Sequence, residues 1–140
     1  MVIRPETAKF IMDVENHAGR KMSHPTEVGT LLECARRSNA METYEDLIFQ
    51  AKFATKAIAI MKRIGSNGEG YEKLATEFGS SLERVSTLLR ELLKGYPAED
   101  ERKFLATFLA FDQSSLSGLL DLMQDLTLVK NWTVDGNPLP

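Results

Sequence analysis

The sequence predicts an all-α fold, a bundle of helices, and three observations carry that prediction. Every long periodic segment repeats its apolar residues at intervals of three and four, and no stretch alternates over strand length. Prolines fall at segment starts or just past segment ends, where helices accept them. Finally, 140 residues at 43% apolar and 26% charged are enough to bury one sizeable core and too apolar to remain disordered.

The elements follow in order. Pro5 with Glu6 starts a helix that carries Phe10, Ile11, Val14 and Ala18 on one face. Ser23 ahead of His24, Pro25, Thr26 and Glu27 is a candidate N-cap for a second helix, which carries Val28, Leu31, Leu32 and Ala35. Residues 38–40 break the pattern. A third helix is expected over about 43–64. Its main stripe is Tyr44, Leu47, Ile48, Ala51, Ala54, Ile58 and Met61, and Phe53, Ala57, Ile60 and Ile64 form a second stripe. A helix that is apolar on more than one side needs cover on more than one side. These four residues are therefore the candidate interface.

Residues 65–70, GSNGEG, end that helix. Three glycines in six residues suggest a phosphate cradle, but neither the preceding strand nor the Lys-Ser/Thr pair of a P-loop is present, so a helix cap and connector is expected. A fourth helix is expected over about 71–94, stopped by Gly95 and Pro97. Acidic residues at 99–101 suit the first turn of a last long helix, expected over about 98–132. Leu116, Leu119, Leu120, Met123, Leu126 and Val129 continue its apolar face, and Asp112 with Gly118 marks a kink or a new start. The whole reads as one domain over residues 1–132 with a turn-rich tail at 133–140.

Residues 74–92, LATEFGSSLERVSTLLREL, resemble a helix-turn-helix motif. Ala75, Gly79, Val85 and Leu88 stand at its small, turn and apolar places. That resemblance implies a DNA-binding regulator contacting the duplex through Ser81, Glu83, Ser86, Thr87 and Arg90. Two residues depart from the pattern: Ser80 follows the turn glycine where an apolar residue is usual, and Leu82 is apolar where the motif faces outward. Tyr71, Ala75, Phe78, Leu82, Val85, Leu89 and Leu92 hold one phase straight through residues 79–81, which predicts a single unbroken helix instead. Residues 71–94 also balance four basic against four acidic side chains, a poor footprint for phosphate contacts.

Net charge is −3, divided as +2 over residues 1–65 and −5 over residues 66–140, so non-specific nucleic-acid binding is disfavoured. Arg36, Arg37, Lys52, Lys56, Lys62 and Arg63 make the first half locally basic, suited to an acidic partner or solvated helix faces. Cys34, the single cysteine, lies beside Leu31 and Leu32 and is expected to be a buried thiol. Asp13 with His17, and His24 with Glu27, are the only pairs at ligand spacing that include a histidine. They are read as surface or packing residues, and no metal or cofactor is expected. Asp121 and Asp125, with Ser114 and Ser117, form an acidic stripe that reads as a solvated face rather than a cation site. The longest apolar run, residues 104–111, is far too short for a membrane span, and a cytoplasmic protein is expected.

No catalytic constellation emerges. The function expected is non-catalytic: a helical interaction or oligomerisation protein whose partner is a second copy, in a dimer, or another protein. The DNA-binding regulator is one alternative, and an enzyme or metal protein with a pocket between helices is another.

Overall fold

The structure, a computed structural model, describes residues 4–94, 99, 102–104 and 113–129. Five helices are labelled here: α1 (Pro5–Ala18), α2 (Pro25–Arg37), α3 (Met41–Ile64), α4 (Tyr71–Leu93) and α5 (Gln113–Val129). Residues 99 and 102–104 are helical too, and no strand occurs among the described residues. The fold is all-α. The expected stop at Gly95 and Pro97, residues 98, 100–101, 105–112 and 130–132 of the expected last helix, and the expected tail at 133–140 lie outside the described residues.

Local chemistry sets most of the boundaries. Pro5 and Pro25 open α1 and α2, where a missing N–H costs nothing. Gly19 ends α1 in the left-handed conformation, and its N–H reaches the Glu15 carbonyl at 2.9 Å. Residues 65–70 form the expected cap and connector: Gly65 at φ 75° ends α3 and Gly70 at φ 84° precedes α4. Side chains with a Cβ rarely take such angles, so glycine is required at both positions.

α3 and α4 pack most extensively, as an antiparallel hairpin, and α3 also lies against α5 and α2. Register within the hairpin is marked by the Ser81 hydroxyl, which donates to the Gln50 carbonyl at 3.2 Å and to Gln50 Oε1 at 3.1 Å. α3 turns Ala51, Ala54 and Ala57 inward, small residues that leave room for larger side chains from its neighbours. The space is filled by Leu31 and Leu32 of α2, Leu88, Leu89, Leu92 and Leu93 of α4, and Leu122, Met123 and Leu126 of α5. Burying each such side chain contributes roughly 1.5–3 kcal/mol. The core stops short of the hairpin's far end, since no residue from 58 to 80 is buried.

Three buried carboxylates hold the α1–α2 corner by accepting backbone N–H groups, two from within it and one from α5. Glu33 takes the N–H of Arg4 at 2.6 Å, and Glu15 takes that of Met22 at 2.7 Å. Asp125, fully buried on α5, takes those of Ser23 at 3.1 Å and His24 at 2.6 Å. The residue preceding α2 is His24, not the expected Ser23, and its side chain makes no capping bond. Asp125 supplies the missing acceptor at that helix start from about a hundred residues away.

Candidate interaction surface

The outer face of α3 is the feature of the described surface that asks for an explanation. Phe49 is 65% exposed, Phe53 37%, Ile60 40% and Ile64 36%. At 100° per residue these four side chains fall within about 60° of arc, one stripe that flanks the buried face of α3 on the side of Ala57. Sequence spacing identified Phe53, Ile60 and Ile64. It also assigned Ala57 to this stripe, and here the structure corrects it: Ala57 is buried, only 2% exposed, on the edge of the face that meets the hairpin partner. Phe49 was missed. The signal was present, since 49, 53, 60 and 64 repeat at four, seven and four.

Charge along the same face is graded. Glu42, Glu45 and Asp46 are exposed at its amino-terminal end. Lys56 borders the stripe, with Lys52 further round the same flank and Arg63 on that flank near its carboxy-terminal end, whereas Lys62 lies on the far side of the helix. The gradient follows the helix dipole, with acids in the first turns and bases in the last. Asp46 is 4.0 Å from Arg84 of α4, a solvent-exposed pair that contributes little.

The residues proposed for DNA contact do not share a free surface. Residues 79–81 are helical inside α4, so the turn of a helix-turn-helix is absent. Ser81 is buried and held by Gln50, which removes it from any groove-reading face. Glu83, Thr87 and Arg90 are exposed and Ser86 is half-buried. The Ser86 and Thr87 hydroxyls bond back to the carbonyls of Leu82 and Glu83. Leu82, the residue out of place for the motif, packs against the core instead. Gly79 does not admit a neighbouring helix either: a Cβ added there meets nothing within 4 Å.

Other chemistry is sparse among the described residues. No group of three or more His, Cys, Asp or Glu is placed to hold a metal ion. Asp13 pairs with Lys9 at 2.9 Å, and His24 lies 4.0 Å from Glu27. Asp121 and Asp125, read as one solvated stripe, are parted by the fold: Asp121 is exposed and Asp125 is buried. A cavity of about 240 Å³ is lined by Arg4, Glu33, Arg36 and Arg37. Its lining is net positive, and its one carboxylate accepts the Arg4 N–H and lies 3.5 Å from the Arg4 guanidinium. Burial pushes the Cys34 thiol up to about 11 despite the opposing pull of Arg37, which makes it a poor nucleophile. No described helix is long and apolar enough to cross a membrane. Compared with protein-family models, curated proteins and solved structures, the chain matches none.

Proposed function

We propose that this protein is a non-catalytic helical interaction protein which docks an apolar partner surface on the outer face of α3. One observation carries the reading: two phenylalanines and two isoleucines line a single face of one helix in contact with water. Scattered exposed apolar residues are ordinary on a surface, whereas aligned ones with charged residues at both ends have the composition of an interface. The partner, a second copy or another protein, offers an apolar helix face in turn. The lone, buried, unreactive Cys34 is compatible with work in the cytoplasm.

A photo-activated cross-linking residue in place of Ile60 tests this reading, with the same residue in place of the exposed Glu83 on α4 as the control. Expressed in the organism of origin, the Ile60 probe should give a discrete covalent product and the Glu83 probe should not. Equal yields from both positions, or no product from either, would overturn the docking surface.

A further inference from the structure

The graded charge on α3 narrows the choice of partner. We propose that the occupant of the α3 face is a second copy of this chain, paired α3 against α3 and antiparallel about a two-fold axis level with residue 54. This rests on the docking surface described above and adds its partner and orientation.

An antiparallel two-fold pairing brings each end of α3 to the opposite end of the other copy. Glu45 of one chain then comes level with Arg63 of the other, and Glu42 lies beyond the other chain's Ile64. Glu45 and Arg63 lie at the same angle on the helix, because eighteen residues make five full turns. A two-fold axis perpendicular to both helices therefore puts Glu45 of each copy on the same side of the seam as Arg63 of the other. Phe49 falls against Ile60 and the aliphatic stem of Lys56 of the second copy, and the two Phe53 side chains approach near the axis. Lys56 can then lay its ammonium group beside the phenyl faces while its stem covers them. A parallel arrangement would set acid against acid and base against base along the whole seam, so the gradient selects against it. Homo-oligomers close most often by a two-fold axis, and the pairing described is isologous.

Size fixes the expected strength. α3 is about 36 Å long and a helix about 10 Å wide, which gives roughly 350 Å² per copy. Stable interfaces bury about 800 Å² per partner, so the dimer should be weak, with a dissociation constant on the order of 10–100 μM.

The test is sedimentation or light scattering on the full chain between about 1 μM and 1 mM at low salt. The wild-type mass should rise to that of a dimer, and Ile60→Glu should stay monomeric with unchanged helical circular dichroism. Glu45→Arg and Arg63→Glu should each weaken association by about fivefold or more, and the double variant E45R/R63E should recover it to within about twofold. In a parallel dimer neither single charge reversal changes the balance of like charges, so no such rescue exists. A wild-type monomer at 1 mM overturns the second copy as partner; the docking surface then stands or falls by cross-linking at residue 60. A dimer abolished by Ile60→Glu but indifferent to the charge variants overturns the antiparallel orientation alone. Unfolding of Ile60→Glu would leave the charge variants, both at exposed positions, to decide the orientation.

Discussion

Asp125 shows how much one side chain can hold. Its carboxylate is buried and accepts two backbone N–H bonds ahead of α2, with the Arg20 guanidinium 3.8 Å away. Asp125→Ala leaves both N–H groups without that acceptor and should cost about 2–3 kcal/mol in chemical denaturation, while Asp125→Asn, which retains one acceptor, should cost less. Burial nonetheless raises its pKa above the ordinary 3.8, outweighing the hydrogen bonds from His24 and Ser23 and the nearby charges of His24 and Arg20. A carboxyl with a raised folded-state pKa contributes stability that is complete below its unfolded value and is lost as pH rises through the folded value. The wild type should therefore gain stability relative to Asp125→Asn as pH falls from neutrality towards 4, measured as the difference between two urea unfolding series. A difference that shrinks on acidification would reverse that sign. Tyr44 presents the opposite case, a hydroxyl buried with no hydrogen-bond partner among the described residues. Tyr44→Phe removes that desolvated group and should be neutral or stabilise by up to about 1 kcal/mol, as thermal or urea unfolding would show.

At the scale of the helix, α4 shows what periodicity does and does not reveal. Its apolar phase ran unbroken through residues 79–81, and the helix does the same. Gly79 thus occupies an exposed helical position with open space around it, a residue with maximal backbone freedom and no steric need for it. Gly79→Ala should stabilise the fold by about 0.5–1 kcal/mol, read from the urea midpoint at unchanged slope. Leu89→Ala on the buried side should cost about 2–5 kcal/mol in the same assay. The buried positions of α1, α2 and α4 were largely legible because one strong stripe per helix suffices to orient it. α3 was less so, since a helix apolar on two sides does not say which side its neighbours cover. Ala57 was assigned outward because only the hairpin partner reveals that it faces inward. Asp125 was read as solvated for the same reason: its burial depends on the α1–α2 corner, and no pattern within α5 encodes that meeting. Ser81 likewise reads as a surface serine until Gln50 is placed beside it.

For the whole molecule, the two helices that pack most extensively on each other are also those that leave the core incomplete. α3 and α4 exceed α1 and α2 by about ten residues, roughly 15 Å of helix, and their far ends hold no buried residue. Stability should therefore be uneven, with amides near the 65–70 connector exchanging hydrogen faster than those around Leu47 and Leu89. Protection at the connector equal to that of the core would contradict this, unless it appears only at concentrations where association has set in. The fold class was readable as a sum of local periods, whereas the site depends on which faces remain uncovered after packing.

The carboxylate of Asp125 also has a bearing on how the chain is made. Synthesis runs from the amino terminus, so Ser23 and His24 emerge long before residue 125 exists. During that interval the start of α2 lacks its acceptor, and the α2 and α3 leucines lack Leu122, Met123 and Leu126 as cover. The first corner therefore settles in two stages: the Glu15–Met22 and Glu33–Arg4 bonds need only the first two helices, whereas the start of α2 is sealed when the last described helix arrives. Chains arrested before Gln113 should be cut readily by protease near residues 19–24, and chains extended past Val129 should resist.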